Sequence, residues 1–219
     1  MKVYIQWTYK TKKKKSFTFT SDLVSLEEAV HFAEDVESTK RATDLVFTDE
    51  KGATWSMKEL KKLITKIEEE PHEIIVYFDG GFDRQTRIAG IGCSIYYKKD
   101  GETYRIRKNA QLEGLDNNNE AEYAALELAV QELVVLNVRN QRVTLKGDSQ
   151  VVLQQLSGEW ACYEESFQRY INRIERYAKK QHLDFEYEVL SRKENREAHQ
   201  LATQALEGTT IESHSPLQE

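Results

Sequence analysis

The sequence predicts an α/β domain on a five-stranded mixed sheet, three antiparallel strands plus parallel ones flanked by helices, preceded by a small α+β domain. Three observations predict it. The acidic run EEEP, ending at Pro71, separates two differently patterned segments. After it come three consecutive strand-like runs joined by short turns. Beyond those, helical and strand periods alternate, the signature of a parallel arrangement.

In the first segment, residues 2–9 and 16–20 alternate aromatic and β-branched residues and are joined by the polar stretch KTKKKK, giving a hairpin. Ser25 and Glu28 form a capping-box pattern ahead of an amphipathic run through Ala33 and Val36. TDLVFTD is a strand that turns at Glu50, Lys51 and Gly52 into Ala53–Trp55. Ser56 and Glu59 repeat the capping box before MKELKKLITKI. Residues 1–70 are therefore expected to be a β-β-α-β-β-α domain.

The second segment opens with IIVYFDGG, AGIGCSIYYKKD, an Asp100-Gly101 turn and TYRIRKNAQL, a β-meander. Asn118 or Asn119 can cap a helix carrying Ala121, Ala125, Leu128 and Leu133 at helical spacing. RVTLKGD is a strand running directly into the helix SQVVLQQL. A long helix from Glu164 to Lys180, the strand DFEYEVL and a helix from Glu194 to Glu207 complete a domain over residues 73–207. Residues 208–219, GTTIESHSPLQE, show no periodicity and are expected to be a flexible tail.

Composition narrows the function classes. The net charge is −6, and residues 1–70 are balanced at 13 basic and 13 acidic, so the excess lies in the second segment. Nucleic-acid binding by bulk charge is excluded, and any such binding needs local patches or metal. Two cysteines, Cys93 and Cys162, offer no disulfide framework or zinc spacing and point to a reducing compartment. The start MKVYIQWTYK lacks a signal-peptide core, and no run approaches the roughly 18 to 20 apolar residues of a membrane span. A soluble cytoplasmic protein that does not engage membranes is the expectation.

Three acidic positions carry the chemistry. Asp79 closes the first strand, Glu122 falls in the first turns of the following helix, and Asp148 stands between a strand end and a helix start. Singly, each has a plain role as turn residue, dipole partner or N-cap. Together they fall on the elements whose ends an α/β sheet gathers at one place. Converging carboxylates repel unless cations neutralise them, and two Mg²⁺ ions about 3.5 to 4 Å apart would stabilise both oxygens of an in-line phosphoryl displacement. Gly80 and Gly81, without side chains, would let a phosphate backbone approach.

Residues 73–207 resemble the type 1 ribonuclease H family, including the ribonuclease H domains of reverse transcriptases, through YFDGG, NNNEAEYAAL, LKGDSQVVLQQL and NREAHQLA. The resemblance implies a ribonuclease H-like fold and metal-dependent hydrolysis of the RNA strand of RNA·DNA hybrids. It implies that Asp79, Glu122 and Asp148 bind metal, and that Asn118, Asn119 and Gln150 contact the hybrid, their amides suited to a 2′-hydroxyl and base edges. The family's last motif carries Ala-Asp where this chain has Ala198-His199. An imidazole at the fourth ligand position removes a charge and shifts preference from Mg²⁺ toward Mn²⁺. Glu197, two positions away on a helix, faces elsewhere and does not replace the missing carboxylate. The alternative is a catalytically impaired module that binds nucleic acid or protein.

Two further departures concern grip on the substrate. The connection GEWACYE lacks the basic helix of some members, and SRKEN lacks the histidine that others place there. The first domain is a candidate source of affinity through Lys10 and Lys12–Lys15 beside Trp7, Tyr9, Phe17 and Phe19, with self-association as its competing role.

Overall fold

The computed structural model describes residues 1–217, which divide into two compact units, Met1–Glu69 and a second beginning at Glu70. In the first, β1 (Lys2–Lys10), β2 (Ser16–Thr20), β3 (Val24–Ser25), β4 (Ala42–Asp49) and β5 (Thr54–Trp55) form an antiparallel sheet in the order β2-β1-β4-β5, with β3 also pairing β1. Alternation along β1 points Val3 and Ile5 into a core completed by Phe47 and by Leu26, Ala29, Val30 and Ala33 of α1 (Leu26–Ser38). Leu60 joins them from α2 (Met57–Glu69). Both helices start as the sequence dictates: Ser25 and Glu28, then Ser56 and Glu59, exchange side-chain and backbone hydrogen bonds.

The second unit holds β6 (His72–Asp83), β7 (Ile88–Lys99), β8 (Glu102–Glu113), α3 (Asn118–Val135), β9 (Arg142–Gly147), α4 (Gln150–Leu156), α5 (Glu165–Gln181), β10 (Asp184–Val189), α6 (Arg196–Leu206) and β11 (Glu212–Pro216). Its sheet has the order β10-β9-β6-β7-β8-β11. β10, β9 and β6 are parallel, while β7, β8 and β11 are antiparallel to their neighbours. The sheet thus has six strands rather than five. The sixth comes from the segment expected to be a flexible tail: residues 212–216 pair with 104–108 of β8. All five of its residues are exposed, so it has no alternating apolar face to read and is held by backbone hydrogen bonds and edge contacts. Gln218 and Glu219 of that expected tail lie outside the described residues.

The two faces of this sheet are covered differently. Ile74, Val76 and Phe78 of β6, with Val143 and Leu145 of β9, are buried on the α3 side. α3 is buried on several sides, because Tyr123 also packs against Phe167 of α5 at 5.2 Å and donates to Gln155 of α4. Burying each large apolar side chain contributes roughly 1.5 to 3 kcal/mol. On the opposite face α6 lies against a track of glycines. A Cβ at Gly90 would stand 2.2 Å from the Ala202 carbonyl oxygen, and one at Gly92 2.6 Å from the Ala202 nitrogen. Gly92 pairs with Asp79 across the β6–β7 ladder, so the seat of α6 is beside that carboxylate. Among the described residues no helix is long and apolar enough to cross a membrane.

Candidate metal centre

Asp79 does not close its strand, because β6 continues through Asp83. What ends there is the neighbour: β9 pairs with β6 only as far as Tyr77 opposite Lys146, and beyond Gly147 the chain turns off at Asp148. Glu122, in the second turn of α3, reaches the same opening because Gly80 lets the helix touch the strand. A Cβ on Gly80 would sit 2.3 Å from the Ala121 carbonyl carbon and 2.4 Å from the Glu122 nitrogen. Gly80 is therefore required by strand–helix packing. At Gly81 a Cβ would meet Leu206 Cδ1 at 3.0 Å, again a helix contact. Both glycines face protein, which corrects the expectation that they open room for a phosphate backbone.

One ligand oxygen from each of Asp79, Glu122 and Asp148 lies within 4.8 Å of the others. Asp79 and Glu122 are buried, and Asp148 keeps a little exposure. Burial is the main cause that lifts the Asp79 carboxyl to about 6, and the charge of Asp148 adds to it. Burial first, then Asp79 and Asp148, push Glu122 well above the usual carboxylate range. Glu122 Oε2 is buried without a hydrogen-bond partner. An orphaned, desolvated carboxylate oxygen facing two more carboxylates suits a divalent cation, which would supply the missing positive charge. The residues fit Mg²⁺ or Mn²⁺, both of which favour oxygen donors.

His199 stands beside this group without being one of the three that converge. Its Nδ1 is 2.8 Å from Asp79 Oδ2, and the side chain is 45% exposed. Glu197, on the same helix, points away: Tyr96 Oη and Arg105 Nη1 donate to it, and Arg107 Nε lies 3.3 Å from it.

Two neighbours were not singled out by the sequence. Asn195, at the N-cap of α6 and almost fully buried, donates from Nδ2 to the Phe78 carbonyl at 2.8 Å and to Asp148 Oδ1 at 3.2 Å. It thereby ties β6, Asp148 and the start of α6 together. The available signal was its place four residues before His199, one helical turn away on the same face. Arg192 Nε, on an exposed side chain, lies 3.9 Å from Asp148 Oδ2, and nothing in the local pattern marked it.

The amide residues are more dispersed. Asn118 is exposed and Asn119 half-buried in the first turn of α3, and Gln150 is exposed at the start of α4. None hydrogen-bonds to the carboxylates among the described residues. The cap of α3 is Asn117, not Asn118 or Asn119. Asn117 has extended φ and ψ, and its Oδ1 accepts from the Glu120 amide at 3.0 Å. Three consecutive asparagines all suit a cap, so local chemistry cannot choose among them.

Comparison with known proteins agrees with the fold. Residues 77–205 match the family described as reverse transcriptase-like, and the chain belongs to that family. It is 42% identical over 199 residues to the uncharacterized protein YpeP of Bacillus subtilis (strain 168), covering 91% of this chain and 88% of that protein. Among solved structures it is similar to RNase H1 from the halophilic archaeon Halobacterium salinarum NRC-1, with 25% identity, a TM-score of 0.52 and coverage of 62% of this chain and 98% of that one. It is similar as well to LC11-RNase H1, solved in complex with RNA/DNA hybrid and isolated from compost by a metagenomic approach, with 26% identity and a TM-score of 0.53. That match covers 62% of this chain and 98% of LC11-RNase H1. The second unit has the type 1 ribonuclease H-like fold.

Proposed function

We propose that the protein is a divalent-metal-dependent endonuclease of the ribonuclease H type that hydrolyses the RNA strand of RNA·DNA hybrids. The observation that carries this reading is the convergence of Asp79, Glu122 and Asp148, with Glu122 Oε2 left unpartnered, in a ribonuclease H-like fold. A structural relative bound to RNA/DNA hybrid supports the substrate class. The three carboxylates would hold the metal, which when bound would supply charge stabilisation for phosphoryl displacement. Asp79 is held by His199 Nδ1, and Asp148 by Asn195, so neither carboxylate is free to swing. His199 stands at the family's fourth position, where an imidazole in place of a carboxylate would favour Mn²⁺ over Mg²⁺. Asn118, Asn119 and Gln150 offer amide groups to the minor groove of the hybrid.

One observation favours a second reading. His199 Nδ1 engages Asp79 Oδ2, an oxygen of a carboxylate that the nuclease reading assigns to metal, as in a site retained for binding alone. A cleavage assay on end-labelled RNA·DNA hybrid separates the two. The nuclease reading expects cleavage with Mn²⁺ exceeding that with Mg²⁺, none in EDTA, and none from Asp148→Asn. If wild type is inert with both metals while His199→Asp cleaves, the binding reading stands instead.

A further inference from the structure

The core face of the N-terminal sheet outruns its helices. Val3 and Ile5 of β1 are buried under α1, but the next residues on that face, Trp7 and Tyr9, are only half-buried. Their partners on β2 are Phe19 and Phe17, which share the face and are 47% and 52% exposed. Trp7 stacks on Phe19 with centroids 5.5 Å apart and planes 23° from parallel, and Phe32 of α1 meets Trp7 edge-on at 4.9 Å. The result is a ledge of aromatic rings in water along an edge strand.

The hairpin that carries the ledge has charge of one sign. No acidic residue precedes Asp22, and the hairpin carries Lys10 and Lys12–Lys15. Its tip is an ordered turn: the Thr11 amide donates to the Lys15 carbonyl at 2.8 Å and the Lys14 amide to the Thr11 carbonyl at 2.9 Å. Lys14 has φ 61°, a left-handed position that favours glycine or asparagine, yet it holds a lysine. Arg41 reaches Tyr9 Oη at 3.2 Å from the adjacent strand. Among the described residues, none of these six cations is ion-paired. Lysines on an edge strand ordinarily keep it from aggregating, but an edge shaped only for solubility would not leave Phe17 and Phe19 in water.

We propose that this ledge is a docking surface for single-stranded nucleic acid, with unpaired bases stacking on Phe17, Phe19 and Trp7 and phosphates running along the lysine tip. Stacking selects a single strand because a duplex keeps its base faces occupied, whereas lysines alone would not discriminate. The surface belongs to the first unit and the carboxylate site to the second, and the proposal does not rest on that site.

The test is fluorescence anisotropy on the full chain in EDTA, which silences any metal-dependent cleavage, with labelled dT20, rU20 and a duplex RNA·DNA hybrid. Phe17→Ala with Phe19→Ala is expected to weaken single-strand binding about tenfold or more while leaving duplex binding unchanged. Replacing Lys12–Lys15 with serine should lower the salt slope of single-strand binding by about 3, from roughly 0.7 per phosphate contact. Because every substituted residue is exposed, folding is checked by circular dichroism. As a measurement free of those variants, dT20 should quench tryptophan emission in wild type and lose that effect in Trp7→Phe. The dT20 and rU20 arms tell DNA from RNA. Unchanged affinity in both variant sets overturns the proposal. So does an equal loss for duplex and single strand, which would mean phosphate contact without stacking. Dissociation of an oligomer by the phenylalanine changes, with binding intact, would make the ledge a self-association face.

Discussion

The two units place the wrong kind of group in the wrong kind of surroundings, in opposite senses. The N-terminal unit leaves aromatic rings in water at Phe17 and Phe19, while the C-terminal unit takes the carboxyls of Asp79 and Glu122 out of it. Their shifted acids differ to match. In the first unit Glu28, Asp49 and Glu59 are held below the usual range mainly by backbone hydrogen bonds at caps and a turn. In the metal centre Asp79 and Glu122 are lifted, mainly by burial. A lowered acid supports its fold above its unfolded value, and the support fades as pH falls. A raised acid begins to oppose its fold once pH exceeds its unfolded value, and the loss is complete above the folded value. The first unit's acids serve local structure; those of the metal centre wait for a counter-charge.

The largest expected effect tests whether the buried carboxylates are chemical. Asp148→Asn should reduce hybrid cleavage more than about a thousandfold, the scale seen when a transition-state charge loses its stabiliser, measured with Mn²⁺ in a gel assay. Next comes the packing that brings Glu122 to Asp79. Gly80→Ala should destabilise the second unit by about 3 kcal/mol or more, since the new methyl meets backbone. Gly81→Ala meets the end of the Leu206 side chain and should cost about 1 kcal/mol or less by urea unfolding.

The contrast in acids gives the third. For Asp79 the folded value of about 6 exceeds the ordinary 3.8, so between those values the folded state holds the extra proton. Metal-free stability should therefore fall as pH rises from 4 to 7, on the order of 3 kcal/mol from Asp79, with Glu122 acting in the same direction. Asp79→Asn should flatten that fall, and Mn²⁺ should offset it in wild type. Trp160, the second unit's one tryptophan, reports the transition separately from Trp7 and Trp55 in Trp7→Phe/Trp55→Phe protein. The smallest effect tests the first unit's local devices. Ser25→Ala removes the hydroxyl that accepts from the Glu28 amide and should cost about 1 kcal/mol, a loss expected to persist at acid pH because that bond does not use the Glu28 carboxyl.

Much of this was legible from the chain. The capping boxes at Ser25 and Ser56, the Asp100-Gly101 turn and the alternation of Ile74, Val76 and Phe78 are local patterns with local causes. The motif residues Asp79, Glu122 and Asp148 were also readable. The sixth strand was not, because Glu212–Pro216 carries no apolar alternation and earns its place through main-chain pairing. The cap of α3 was misplaced by one or two residues because Asn117 and its two neighbours are chemically equivalent until the backbone assigns φ and ψ.

By itself, the sequence determined most of the element order, the two capping-box helix starts, the break between the units and the three acids, since each follows from side-chain type and short-range spacing. Tertiary structure alone decided that Gly80 and Gly81 face helices, that Asn195 binds Asp148 and that His199 pairs with Asp79. Those facts join chain segments far apart in sequence, 47 residues for Asn195–Asp148 and 120 for His199–Asp79, through the close seats of α3 and α6 on their glycines, which no local pattern encodes.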